Sequence, residues 1–361
     1  MASRHVLVTS STGPYAVRIG WGLLARLDTI LGAVKLRGRP FVVSNPLVWR
    51  LHGAAVRRAL PAARPILIPD GERHKHTQTV GRIYDALVQA EADRGAIIVA
   101  LGGGVVGDTA GFAAATFLRG VALVQVPTTL LAQVDSAIGG KVGVNHALGK
   151  NLIGAFHAPK AVLVDPQLLE TLPRRQFRAG LYEVVKYGVI DSAALFERVE
   201  QTLGSLFGRE RQPLASVILE SCRIKGRVVE ADEREAGARR ILNFGHTIGH
   251  ALEAVTRYRR FLHGEAVAYG MLGASAIARA RGAMPASDHE TLGRLITTMG
   301  PLPAVADVPI QATLDAMRRD KKVVQGQLHF VLPTGIGRVD IVKDVTVREI
   351  RHALRSIGMR A

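Results

Sequence analysis

Cysteine is almost absent. The one thiol among 361 residues, Cys222, can form no internal disulfide, which fits a reducing compartment. Aromatic residues are only 5% of the chain, and nowhere do they interleave with a basic stripe. That argues against a nucleic-acid surface, although the net charge is +17. Acidic side chains are the minority, 30 against 47 Lys and Arg, and the basic ones are scattered. Such a field suits a small phosphorylated and carboxylated ligand. Long apolar runs are also missing. None reaches a membrane span, and Met1–Gly20 has no apolar leader segment, so the expectation is a cytoplasmic protein that binds neither nucleic acid nor membrane. Internal repeats and low-complexity stretches do not occur.

With 48% hydrophobic and 21% charged residues, the composition is that of a globular protein. At this length two domains are expected. Strands are predicted at His5–Val8, Tyr15–Ile19, Phe41–Ser44, Pro65–Ile68, Ala96–Leu101, Ala122–Pro127 and Ala161–Asp165. Helices are predicted between them at Trp21–Leu31, Leu47–Leu60, Gln78–Ala92 and Thr109–Leu118. Most of these strands are apolar on both faces, which predicts a parallel sheet covered on both sides. From Pro166 the periodicity becomes helical, over Gln176–Val189, Ala194–Leu206, Pro213–Ala231, His246–Thr256, Glu265–Arg281, Asp288–Met299 and Gln311–Arg319. A hairpin, Gln327–Leu332 with Arg338–Val342, and a last helix, Val345–Ile357, follow. The predicted domains are 1–172, α/β and Rossmann-like, and 173–361, mostly α-helical.

Gly102-Gly103-Gly104-Val105-Val106-Gly107-Asp108 contains Gly-x-Gly-x-x-Gly at a strand-to-helix turn. Backbone N–H groups and a helix N-terminus receive pyrophosphate at such a turn. The run departs from the usual dinucleotide fingerprint, because it lies about a hundred residues in and no acid stands about 20 positions later. Further on, Asp135–His146 and Gly149-Lys150-Asn151 are dense in glycine, which argues against a regular strand or helix there. Lysines and an asparagine among those glycines suggest an anion or sugar site. Glu183 and Lys186 lie one helical turn apart. His246 and His250, four apart, share one helix face, and His263 stands just before the next helix. Imidazoles so spaced read either as zinc ligands or as core or surface histidines. Gly245 and Gly249 beside them permit close approach of a backbone or a ligand.

Taken in order, Gly102–Asp108, Pro127–Asn151, Gly180–Gly188, Asp232–Gly237, Leu242–His250, His263-Gly264-Glu265 and Asp320-Lys321-Lys322 resemble the 3-dehydroquinate synthases of the sugar-phosphate cyclase superfamily. The resemblance covers about Asp70 to Pro333. It implies a nucleotide-binding α/β domain, a helical metal-binding domain and an active site between them, in a homodimer with one NAD and one divalent zinc or cobalt per chain. It implies Glu183, His246 and His263 as metal ligands, which moves His250 from the ligand set to substrate or proton relay. It implies catalytic or substrate-binding roles for Asp135, Lys141, Asn151, Lys186, Lys225, Arg239, Asn243, His250 and Lys321, and for Arg119 acting on the neighbouring subunit's substrate. On the NAD side it implies Asp70, Gly71, Glu72, Lys75, Gly103, Gly104, Val105, Val106, Gly107, Asp108, Thr128, Thr129 and Lys150, with Lys141 shared. The implied reaction turns 3-deoxy-arabino-heptulosonate 7-phosphate, a phosphorylated seven-carbon sugar acid, into 3-dehydroquinate. Its steps are transient oxidation by NAD, phosphate elimination, re-reduction and aldol closure, in the shikimate route to aromatic amino acids. The net reaction is a carbon–oxygen lyase step. Another sugar-phosphate cyclase, or a metal-dependent polyol dehydrogenase, is the competing reading. Tyr182 and His329 stand where the family pattern suggests Ala and Arg.

Overall fold

A computed structural model describes residues 4–319, 323–324 and 327–360. The chain divides into two compact units, Met1–Pro173 with Leu214–Arg234, and Arg174–Pro213 with Glu235–Ala361.

The first unit opens with an antiparallel pair, β1 (Arg4–Val8) and β2 (Tyr15–Ile19). There follow α1 (Leu27–Ala33), β3 (Pro40–Ser44), α2 (Pro46–Ala59), β4 (Arg64–Leu67), α3 (Thr77–Gln89), β5 (Ile97–Gly102), α4 (Gly104–Thr116) and β6 (Ala122–Pro127). A hairpin, β7 (Lys141–His146) with β8 (Gly149–Phe156), precedes β9 (Ala161–Val164). The sheet order is β1-β2-β9-β6-β5-β3-β4, and every pairing except β1–β2 is parallel. Alternation along the strands feeds two cores. Phe41, Val43, Ile98, Ala100 and Leu123 pack on one face with Val80, Ile83 and Ala110. Val42, Ile97, Val99, Val124 and Val126 pack on the other with Leu27, Ile30 and Val56. Burying each Val or Ile is worth about 2 kcal/mol, so strands covered on both sides are apolar throughout. Ser44 in β3 and Gln125 in β6 are buried exceptions; Gln125 Nε2 donates to Gly107 O at 3.2 Å and ties the strand to the first turn of α4.

The hairpin corrects the expectation that glycine density excludes regular strand at Asp135–Asn151. Lys141 to Val144 pair with Phe156 to Ile153. A Cβ at Gly143 would stand 2.6 Å from Ile153 O, and one at Gly154 would stand 2.5 Å from Val142 O. These glycines permit the close strand contact instead of breaking it.

The second unit begins with α5 (Arg174–Asp191), α6 (Ala193–Gln201) and α7 (Leu203–Phe207). Helix α8 (Arg211–Ala231) groups from Leu214 onward with the first unit, whereas a single cut after residue 172 assigns it to the second. After it come α9 (His246–Val255), α10 (His263–Ala280), α11 (Ala286–Thr298) and α12 (Ile310–Arg319). Two short strands, β10 (Val323–Val324) and β11 (Gln327–Leu328), lead to the antiparallel pair β12 (Phe330–Gly335) and β13 (Arg338–Val342), and α13 (Val347–Ser356) ends the unit.

Candidate active site

In the first unit, β3 and β5 are neighbours, but the chain leaves β3 toward β4 on one side and β5 toward β6 on the other. The carboxyl ends of strands at such a switch form the ligand crevice of an open α/β sheet. Ser44 Oγ at the end of β3 donates to Leu101 O at 2.8 Å. Asn45 caps α2 by accepting from Val48 N at 2.8 Å, and its Nδ2 donates to Asp70 Oδ1 at 2.9 Å. Asp70, from the loop after β4, is thereby fixed at the crevice. Gly103 caps α4, whose first turn is Gly104-Val105-Val106-Gly107, so the helix begins five residues before the predicted Thr109. Its N-terminus lies at the end of β5, where an anion is favoured.

Around this turn the polar residues interlock. Lys75, 4% exposed, places Nζ 2.5 Å from Asp108 Oδ2 and 2.5 Å from Asn151 Oδ1. Glu72 Oε1 accepts from Asn145 Nδ2 at 2.8 Å and faces Lys150 Nζ at 3.8 Å. Asn145 N donates to Lys75 O at 2.8 Å, so the hairpin is stitched to the segment after Gly71. Burial works against the Lys75 ammonium, but Asp108 and Glu72 overcome it and hold its pKa above the ordinary lysine value. Burial pushes the Asp108 carboxyl up, against the pull of Lys75. Thr128 N donates to Gly102 O at 2.9 Å, and Thr129 Oγ1 accepts from Ala132 N at 3.2 Å. Asn151, expected on substrate, lies with the nucleotide-side residues through Lys75 and adopts φ +52°.

Two expected substrate residues meet, Lys225 on α8 and Asp135 in the helical turn Ala132–Ser136. Lys225, 6% exposed, reaches Asp135 Oδ1 at 2.5 Å. One turn earlier, buried Cys222 donates its Sγ–H to Gln133 O at 3.5 Å, and burial raises that thiol to about 12. Lys141 opens β7 and is exposed. Arg119 does not sit at the end of a regular helix. Leu118 (φ +49°) and Arg119 (φ +67°) turn left-handed after α4, and both are exposed.

In the second unit the proposed metal residues converge. Glu183 on α5 is fully buried, with Lys186 Nζ 2.5 Å from Oε2. Its Oε1 lies 3.8 Å from His246 Nε2 and 3.6 Å from His263 Nε2, and neither carboxylate oxygen accepts a well-directed hydrogen bond. Rings of His246, His250 and His263 have centroids 5.2 to 5.7 Å apart, and one nitrogen of each lies within 4.8 Å of the others. His246 presents Nε2 because its Nδ1 lies 3.0 Å from Phe244 O. His263 Nδ1 lies 3.1 Å from Glu253 Oε2. A buried carboxylate facing two imidazole nitrogens fits a divalent cation, which would satisfy its oxygens.

Glycine makes this convergence possible. A Cβ at Gly249 would stand 2.9 Å from Ala266 O, and one at Gly264 would stand 1.9 Å from Ala179 O. Helix α9 therefore packs backbone-to-backbone on α10, and the first turn of α10 rests on α5. Arg239, 2% exposed, precedes α9, and Asn243 Nδ2 donates to Glu235 Oε1 at 2.8 Å. Lys321 lies outside the described residues. Tyr182 is wholly buried, and desolvation drives its phenol up to about 12. His329 Nδ1 lies 3.0 Å from Arg240 Nη1. Sequence reasoning missed Asn45, Gln125 and Glu253. The first was signalled by Asn45-Pro46, a cap followed by proline at the first helical position.

The fold is that of the sugar-phosphate cyclases. The structure superposes with a TM-score of 0.87 on ValA, the 2-epi-5-epi-valiolone synthase of Streptomyces hygroscopicus subsp. jinggangensis 5008, solved with NAD+ and Zn2+. The two are 30% identical, and the match covers 96% of this chain and 97% of that one. A 2-deoxy-scyllo-inosose synthase solved with carbaglucose-6-phosphate, NAD+ and Co2+ also gives 0.87, at 27% identity over 98% of this chain and 100% of that one. Family profiles described as 3-dehydroquinate synthase N-terminal and 3-dehydroquinate synthase C-terminal match residues 65–179 and 180–323. The 3-dehydroquinate synthase of Gloeobacter violaceus is 50% identical over 351 residues, which span 95% of this chain and 96% of that protein. The chain belongs to the 3-dehydroquinate synthase family.

Proposed function

We propose that this chain converts 3-deoxy-arabino-heptulosonate 7-phosphate to 3-dehydroquinate and phosphate, with NAD and one divalent zinc or cobalt ion. The observation that carries the reading is the buried Glu183 carboxylate facing His246 and His263, in a chain that also has a nucleotide-type switch point. When bound, NAD would supply reversible hydride transfer, and the metal would supply Lewis acidity toward the hydroxyl to be oxidised.

The chain's own residues then have separate tasks. Glu183, His246 and His263 hold the metal. Asp70, Gly71, Glu72, Lys75, Asp108, Thr128, Thr129 and Lys150, with the Gly103–Gly107 turn, hold the nucleotide. Lys141, Lys186, Lys225, Arg239 and Asn243 position the substrate's anionic and hydroxyl groups. Lys225 is suited to this because Asp135 fixes its ammonium at 2.5 Å. Once the sugar carries a ketone, the neighbouring C–H is acidic. The substrate's own phosphate takes that proton, the C–O bond breaks, a C=C bond forms and phosphate leaves. His250, within 4.8 Å of both proposed metal imidazoles, is placed to move hydroxyl protons. In functional terms the nucleotide falls to 1–172 and the metal to 173–361. We also propose a homodimer in which exposed Arg119 grips the partner's substrate phosphate, and a cytoplasmic location. Among the described residues, no helix is long and apolar enough to cross a membrane.

The test of substrate class is a panel of sugar phosphates with and without the carboxylate. Turnover of the seven-carbon acid, with 3-dehydroquinate identified by NMR, is expected. Preference for a phosphate lacking the carboxylate would assign the chain to a different cyclase.

A further inference from the structure

His263 begins α10, and its ring is held by a group that no spacing motif indicates. Glu253 lies on α9, seven residues after His246 and three after His250, so it shares their helix face. The residue is 3% exposed, and its Oε2 lies 3.1 Å from His263 Nδ1. On the opposite edge of the same ring, Nε2 lies 3.6 Å from Glu183 Oε1. Both neighbours are carboxylates, but only Glu253 lies within hydrogen-bond distance, so the ring N–H is assigned to Nδ1. With the proton at Nδ1, the lone pair of neutral imidazole is at Nε2, pointing toward Glu183. His246 is set the same way by Phe244 O at 3.0 Å. One proposed ligand is thus oriented by a neutral carbonyl and the other by a buried acid.

We propose that Glu253 is a positioning residue for the metal site. It fixes the Nδ1–H tautomer and the ring angle of His263 and raises the ring's strength as a donor. The inference rests on the reading of Glu183, His246 and His263 as metal ligands. Outer partners of ligating histidines change metal affinity about 10- to 100-fold. The alternative is an ion pair that merely pins α9 to α10, which would leave the ligating nitrogen indifferent to the charge of residue 253.

The test uses the full-length zinc form. In 15N-histidine spectra of the wild type, His263 is expected to carry its proton on Nδ1 and the metal on Nε2. The reverse assignment overturns the proposal, and this measurement needs no variant. Zinc affinity is then measured by chelator competition for the wild type, His263→Ala and Glu253→Gln, with folding checked by circular dichroism. The expected result is a 10- to 100-fold weaker affinity in folded Glu253→Gln, with NAD affinity unchanged. Folded Glu253→Gln that binds zinc within twofold of the wild type overturns the inference. If Glu253→Gln does not fold, the wild-type tautomer decides. Wild-type affinity in His263→Ala would instead sink the ligand assignment itself, so the two failures are separable.

Discussion

Glu183 is buried without a well-directed hydrogen bond to either oxygen. An ionised carboxylate in that position costs several kcal/mol unless a cation answers it. Lys186 supplies one positive charge at 2.5 Å, and the vacant directions on Oε1 face the two imidazoles. Metal content after dialysis should therefore fall to near zero in Glu183→Gln and His263→Ala, whereas His250→Ala keeps about one equivalent. Loss of metal from His250→Ala with retention in His263→Ala would reverse the assignment. The sequence made Glu183 with Lys186 and His246 with His250 visible, because each pair follows helical spacing. His263 was visible as a third histidine, but spacing could not place it beside the other two, since it stands on another helix after an irregular Thr256–Leu262 stretch. Geometry alone does not exclude His250, whose ring is as close as the others. Only the family pattern separates it.

At the scale of elements, contact between helix backbones decides whether the site forms. Adding a methyl at Gly264 would put Cβ 1.9 Å from Ala179 O, an overlap that no rotamer relieves. Overpacking of this kind costs about 1–3 kcal/mol or more. Gly264→Ala should lower the midpoint of thermal unfolding and weaken metal binding together, because it separates the start of α10 from α5. An unchanged melting temperature with normal metal affinity would contradict the packing argument. The strands of the sheet and the start of α9 at His246 were legible, since apolar runs and 3.6-residue periodicity mark them directly. Hairpin β7–β8 was not legible, because its glycines look like loop residues until the opposite strand is known. The grouping of α8 was equally hidden. Amphipathic periodicity says which face is buried but not what buries it, and here the face carries Cys222 and Lys225 toward Gln133 and Asp135.

At the scale of the whole molecule, the proposed chemistry is redox-neutral, and in the proposed homodimer a second copy would complete the site. Arg119 follows a left-handed residue and is exposed, which leaves it accessible to a second chain. The guanidinium stays charged and can grip phosphate with two hydrogen bonds. Mixing tests the trans role. Arg119→Ala and Glu183→Gln chains, each inactive alone, are co-expressed. In a two-fold dimer one mixed site has both intact residues, so random pairing should restore about a quarter of wild-type sites. No recovery in confirmed mixed dimers, with both parents folded, would place Arg119 in cis. In the proposed cycle NAD is reduced and then reoxidised within each turnover. The most direct measurement follows inorganic phosphate and NADH in one cuvette, with the heptulosonate phosphate, zinc and NAD below the substrate concentration. Phosphate should exceed NAD by many turnovers while absorbance at the NADH wavelength stays flat. NADH rising in step with product, and turnover stopping when NAD is exhausted, would contradict the account and make the chain a dehydrogenase.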